Sequence, residues 1–411
     1  MNVLVNRLSL GLTGNLRVLL FTIFLWELGF GLYFNNMLTI YMKGVGLTEA
    51  KVGTILTIAG LFRIGLMLPA GSIMDHVGRK PVVVGAAFIS IPGALAYIFA
   101  DGWELLLLAS ICMSVNALGF PAMSAIIADS NAEDPLDAFR KLYTVGPAIA
   151  FIIGPLIGGQ IAALTSQRAV FVGCAIIFTG AFLLATRLSE PPMHNHGNRR
   201  GGYIDIIRHR PIRMVVIYGF VMVLVLGFGT TFLPNLVTDK HGFDDQQRGL
   251  AFSFGAVGTL ILSVAMSKTK RITHIRGVAL GVLSVSGICI AALVISNPYL
   301  LIPAFMMRGG FMMAWSLLTP LASDITPKHL QERTFAGIEF STGVGNTLAP
   351  IAAGVAYEFN RSAPFLLGAI VMPILAAVAI WLERHVIQPE VDRRNRVDRL
   401  NAPTEPVATA A

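Results

Sequence analysis

Runs of about 20 apolar residues recur along this chain, the length an α-helix needs to cross the hydrocarbon of a bilayer. Twelve such runs cover roughly 17–42, 49–71, 82–100, 104–128, 141–163, 169–187, 213–236, 247–267, 277–296, 300–322, 334–357 and 362–383. A helix satisfies its backbone polar groups within a single run, so the expected fold is an all-α membrane protein. Composition points the same way. Only 13% of residues are charged, against about 25% in soluble domains. The 41 glycines suit helices that pack closely in lipid. The first run is too long for a cleavable signal peptide, and many more follow it.

One long polar interruption, 188–212, contains "PPMHNHGNRRGGYIDIIRHRP" and divides the runs six and six. The expected organisation is an N-terminal half over 1–187, a linker over 188–212, a C-terminal half over 213–384 and an unstructured polar tail over 385–411. Lys and Arg set the orientation. With both termini inside, 23 of the 31 basic residues fall on the inner side. Lys43, Lys51, Arg168, Lys240, Arg248 and Arg361 fall outside, and Arg63 and Arg308 lie within spans. This asymmetry assigns the net charge of +8 to anionic lipid headgroups rather than to nucleic acid. The expected location is an inner (cytoplasmic) membrane, with both termini in the cytoplasm. Cys112, Cys174 and Cys289 fall in apolar runs and read as small buried hydrophobes.

The halves echo each other. Asp129 ends the fourth run, Arg140 opens the fifth, and "GPLIGG" follows from Gly154 to Gly159. Asp324 ends the tenth, Arg333 opens the eleventh, and "APIAAG" follows from Ala349 to Gly354. Weak internal symmetry of this kind is expected of transporters built from repeated halves.

Residues 71–81 read "GSIMDHVGRKP". Gly71, Asp75, Gly78, Arg79 and Lys80 match the loop signature G-x-x-x-D-R-x-G-R-R/K, so the chain resembles the major facilitator superfamily. His76 replaces the usual basic residue. The resemblance implies twelve transmembrane helices in two pseudo-symmetric six-helix halves. It also implies a cytoplasmic latch, with Asp75 facing the N-terminal end of a helix in the other half and Arg79 paired with Asp129. The corresponding second-half loop, "SKTKRITHIRG" over 267–277, has lost the Gly and Asp, so the latch is expected to be one-sided. In the fifth run, Gly154, Pro155, Gly158 and Gly159 match the G-P-x-x-G-G core of the drug/proton antiporter branch, although Ala150 stands where the fuller pattern has Gly. The intramembrane Arg that such antiporters usually carry in helix 4 is missing from residues 105–130.

Four ionisable residues lie well inside spans: Glu27, Arg63, Arg308 and Glu339. Such groups usually face a polar interior. Counting from the inner ends at 1.5 Å per residue puts Glu27 about 15 Å deep and Arg63 about 18 Å deep. The two are therefore expected to meet, as a proton-coupling pair or as a permanent structural pair. Glu339, about 9 Å deep, is a further coupling candidate, and Arg308, about 24 Å deep, is not expected to touch it. Glu27, Gly31, Asn35 and Thr39 recur every four residues and predict one polar or small face toward a central cavity. Phe30, Tyr33, Phe34 and Asn36 lie beside it. In the family, helices 1, 4, 7 and 10 line that cavity, which adds Asn116, Thr231, Asn235 and Trp315. Methionines in "FMMRGGFMMAW" (305–315) suit either an adaptable lining or plain packing.

No phosphate-binding glycine loop is present, which disfavours an ATP-driven pump, and no nucleophile–base motif points to an enzyme. His194, His196 and His209 in the linker do not make a convincing metal site. The leading expectation is alternating-access, proton-coupled efflux of small organic compounds by a monomer, driven by the proton gradient without a cofactor. The rivals are a proton-linked uptake symporter for a sugar, metabolite or organic anion, and a non-transporting receptor or assembly partner.

Overall fold

The computed structural model describes residues 10–130, 137–138, 141–190, 208–269, 272–327 and 330–401. Arg140, His194 and His196, together with most of the linker, lie outside these residues. Twelve long helices make up the described chain. They are α1 (Gly14–Tyr33), α2 (Glu49–Met67), α3 (Arg79–Phe99), α4 (Trp103–Ala128), α5 (Lys141–Leu164), α6 (Gln167–Ala185), α7 (Arg210–His241), α8 (Asp245–Lys268), α9 (His274–Val294), α10 (Pro298–Ile325), α11 (Gln331–Phe359) and α12 (Ala363–Leu382). Eleven are long and apolar enough to span a membrane. The exception, α11, carries Glu339, Ser341, Thr342, Asn346 and Thr347, because it packs inside the bundle against α2 and α7 rather than against lipid. The chain continues past α12 into a further helix, α13 (Gln388–Asn401). This corrects the expectation of an unstructured tail from 385 onward. Arg394 of α13 donates to the Asp324 carbonyl at the end of α10 at 2.9 Å, which gives that segment a docking point.

In the first half, α1 lies against α5 and α6, while α3 lies against α4 and α6. In the second half, α7 lies against α11 and α12, and α9 against α10 and α12. The sequence echo between halves has a structural counterpart. The carbonyl of Pro155 in α5 abuts Gly249 of α8, and the carbonyl of Pro350 in α11 abuts Gly53 of α2. Both glycines sit four residues into their helices. A Cβ there would collide with backbone, so close approach requires Gly at these positions. These two crossings, α5 with α8 and α2 with α11, join the halves.

α1, α4, α7 and α10 are each interrupted. α1 stops at Tyr33 and resumes over Leu38–Gly44, and α7 breaks between Thr230 and Leu233. α4 tightens over Asn116–Leu118 and α10 over Phe305–Gly309, where Pro303 precedes the change. Broken helices near mid-membrane are how transporter folds expose backbone and polar side chains to an interior.

Among the described residues the polar contacts between the halves gather toward one end. At the face opposite the termini, Lys43 bridges Glu49 and Asp239 at 2.8 Å each, and Tyr357 donates to Asp239 at 3.1 Å. Deeper on the same side, Thr39 donates to Asn235 at 2.5 Å, and Thr57 donates to the Thr347 carbonyl at 2.9 Å. Toward the terminal face, Cβ atoms added at Gly65, Gly71 and Gly337 would meet nothing within 4 Å. Leu61, Phe62, Leu68 and Phe340 are exposed there. The structure is therefore closed at the far face and open between the halves at the terminal face.

Charged groups at the opening between the halves

Arg63 lies on α2 and Glu339 on α11, and both are exposed at the deep end of this opening. Glu27 lies on α1 and is half-buried. Arg63 lies within electrostatic range of both carboxylates. No nitrogen–oxygen pair among the three is within 4.0 Å. The expected Glu27–Arg63 contact is thus corrected: the residues share a region but not an ion pair. Neighbours in sequence are not neighbours here. α1 packs on α5 and α6, whereas α2 packs on α4 and α11.

The expected polar face of α1 is also corrected. Gly31 is buried against α5, where an added Cβ would lie 3.0 Å from the Ala150 carbonyl. Tyr33 is fully buried, with Phe171 of α6 at 5.1 Å and Tyr97 of α3 at 5.8 Å between ring centroids. Phe30 packs on Phe178 of α6 at 5.6 Å. A four-residue step drifts by about 40° on a 3.6-residue helix, and three steps carry the stripe round to a different neighbour. Asn116 is buried and donates to Ser90 of α3 at 3.1 Å, so it is not a cavity residue in this state. Asn235 is buried between the halves as the acceptor from Thr39. Asn36 is buried as well. Phe34 is exposed, and Thr231 and Trp315 are partly so, with Trp315 beside Phe311.

Asn35 meets Arg308. The guanidinium of this α10 residue donates to Asn35 Oδ1 at 3.0 Å and lies 4.9 Å from the Phe252 ring centroid of α8. Among the described residues no carboxylate lies within ion-pair distance of Arg308. The site therefore has a cation toward the closed face and the Glu27–Arg63–Glu339 group where the opening from the terminal face ends.

At the terminal face, Arg79 and Asp129 form an ion pair, and Arg79 also donates to the Ala125 carbonyl at 3.3 Å. Gly78 has φ +96°, a conformation that favours glycine. The Glu190 carboxylate accepts from the backbone N–H groups of Arg79 and Lys80 at 2.7 and 2.8 Å, capping α3. Sequence reading missed Glu190, because its partners lie 110 residues away and no motif joins them. Asp75 and Gly71 are exposed, and Asp75 has no partner among the described residues. The expected contact of Asp75 with the other half is not made here, because the halves are apart at this face. His274, first residue of α9, meets Asp324 of α10 at 2.7 Å, in the place that Arg79 and Asp129 occupy in α3 and α4. The signal for this pair was the Asp129/Asp324 echo between the halves.

The α5 motif has two working sides. Added Cβ atoms at Gly154 and Gly158 would press on α1, the first at 2.8 Å from Gly31 Cα. One at Gly159 would lie 2.6 Å from the Asp245 carbonyl of α8, in the other half.

Comparison with known proteins agrees with this architecture. The family profile of the Major Facilitator Superfamily matches residues 18–329 and, a second time, 231–408. The chain is 26% identical to the quinolone resistance protein NorA of Staphylococcus aureus, over 89% of this chain and 96% of that one. It is also 26% identical to multidrug resistance protein 1 of Bacillus subtilis, over 89% and 95%. Among solved structures, the nucleoside transporter NupG superposes with a TM-score of 0.74 over 91% of this chain and all of that one, at 12% identity. With its two six-helix halves, interrupted α1, α4, α7 and α10 and matched crossings, the chain belongs to the Major Facilitator Superfamily.

Proposed function

We propose that this protein is a proton-coupled exporter of small organic compounds in the cytoplasmic membrane, with both termini in the cytoplasm and no cofactor. The observation that carries the reading is the Glu27–Arg63–Glu339 group. It sits where an opening from the terminal face ends, and none of its members forms an ion pair among the described residues. A carboxyl so placed can exchange a proton with water as the halves rock about the α5–α8 and α2–α11 crossings. The named activity of the resistance proteins it resembles supports the outward direction. The basic asymmetry of the loops supports a cytoplasmic terminal face, so the state described is inward-open. The transporting unit in this reading is the monomer.

The test is transport in everted vesicles with a pH probe. Compound-triggered proton release in wild type, lost in Glu27→Gln, is expected. Accumulation of the compound in intact cells under an inward proton gradient would overturn the exporter reading.

A second reading has one observation behind it. Arg308 lies without a carboxylate partner beside Asn35 and Phe252, which suits the carboxylate of an aromatic acid moving inward by symport. The intact-cell assay separates the two.

A further inference from the structure

The α2–α11 crossing reads as a zipper with a defined end. Gly53 lies against Pro350, Gly60 meets Thr347 (2.7 Å to an added Cβ), and Ile64 lies 4.0 Å from a Cβ added at Gly343. The two helices run antiparallel with paired residue numbers summing to about 405, and the pairing stops there. Beyond it, Gly65 and Gly337 face open space. Arg63 and Glu339 flank this point from opposite halves. Glu339 lies one turn, about 6 Å, past Gly343 toward the open face, within reach of a guanidinium whose stem starts level with Gly343. Both side chains are exposed, and Arg63 lies within electrostatic range of Glu339.

We infer that Arg63 and Glu339 form the inner gate of this transporter, pairing across the halves when the terminal face closes. The pair is the counterpart of Lys43 with Asp239, which joins α1's extension to α7 across the halves at the closed far face. Each state then has one inter-half ion pair made and one broken. Continuing the register past Ile64–Gly343 would bring Leu68 opposite Gly337 and draw Glu339, one turn beyond Gly343, under the guanidinium of Arg63. Closure also draws Arg63 away from Glu27. A half-buried carboxylate from which a nearby cation recedes takes a proton more readily. Gate closure and proton uptake by Glu27 are thereby linked through one guanidinium. Glu339 is a positioning residue in this scheme, since it acts through Arg63.

The inference deepens the exporter reading but is tested apart from it. Cysteines at Leu68→Cys and Gly337→Cys, in a background with Cys112, Cys174 and Cys289 replaced by alanine, report closure through a short bifunctional maleimide in membrane vesicles without substrate. Glu339→Gln is expected to lower the cross-linking yield about fivefold, the size of a single modest ion pair. The charge swap Arg63→Glu with Glu339→Arg is expected to restore it, and Glu339→Asp to keep it near wild type. Should the swap variant fail to fold, Glu339→Gln against Glu339→Asp decides alone. Equal yields in those two, or a folded swap as low as Glu339→Gln, would overturn the gate. If cross-linking behaves as expected and vesicles release no protons on adding compound, the gate stands and the exporter reading falls. Normal proton release with unchanged cross-linking removes the gate and leaves the exporter.

Discussion

Gly158 and Gly159 are adjacent on α5, yet the same methyl group added to each should do different things. At Gly158 the new Cβ would press on the backbone of Leu32, 2.7 Å from its carbonyl carbon and 2.9 Å from its Cα. α1 belongs to the same half and its backbone cannot step aside alone. At Gly159 the Cβ would lie 2.6 Å from the Asp245 carbonyl and 3.0 Å from Gly249 Cα, both on α8 of the other half. Overpacking of this kind costs about 1–3 kcal/mol. For Gly158→Ala that cost falls on the folded half in every state and should appear as a lower thermal unfolding temperature. For Gly159→Ala it falls mainly on the far-closed state, since rocking the halves relieves it. The ratio of far-open to far-closed molecules should then rise by about 5- to 140-fold, at 1.4 kcal/mol per factor of ten. A cysteine at Thr57, which is buried in the α2–α11 crossing at 6% exposure, reads this through its rate of labelling by a maleimide applied from the far side. Faster labelling is expected in Gly159→Ala and not in Gly158→Ala. Equal labelling rates with equal losses of thermal stability would refute the division of the motif into an intra-half and an inter-half side.

Three further outcomes are expected. Lys43→Gln removes both 2.8 Å contacts at the far face. The lysine is partly exposed, so the effect should be about 1 kcal/mol or less and should shrink in high salt, as read by the same Thr57 labelling. Arg79→Ala leaves the Asp129 carboxylate, 8% exposed, without its cation, at a cost of about 3–5 kcal/mol. The double variant with Asp129→Ala should recover much of that in thermal unfolding, and a double as unstable as the single would contradict the pairing. Burial holds the His209 imidazole below its usual 6.5, with Glu390 of α13 at 3.7 Å opposing the shift. The unfolded group therefore binds more protons, so burial of the neutral imidazole is tolerated fully above about pH 6.5 and destabilises this segment as pH falls below it, with the Glu390 contact offsetting part of the loss. Hydrogen exchange over Gln388–Asn401, corrected for intrinsic rates, should show less protection at about pH 5.5 than at pH 7.5. Unchanged protection would dismiss the idea.

The helices were legible because lipid imposes a length and a composition on every span. α11 was legible by length although its composition is that of an interior helix. Arg79 and Asp129 were legible as partners through a motif with fixed spacing. Glu190 and the His274–Asp324 pair were not, since nothing local marks a carboxylate as the cap of a distant helix. Depth counting brought Glu27 and Arg63 to one level but could not say which helices stand side by side. It ranked Glu339 as a lesser candidate, whereas its helix is the one that α2 meets. Gly31 and Tyr33 were assigned to a cavity by periodicity, which describes a face of a helix without naming the neighbour on that face.

The sequence by itself determined an all-α membrane chain of twelve spans, the position of its few intramembrane charges along each span, and the α5 glycines, Gly154, Gly158 and Gly159, where backbones touch. Each of these follows from one helix meeting lipid or from a local motif. Only the tertiary structure decided which charges face each other, which end of the bundle is shut, and that α5 and α11 each hold one partner within their own half and one across it. Those are relations between helices far apart in the chain. They depend on how the two halves are tilted, a rigid-body property that the pattern of any single span does not encode.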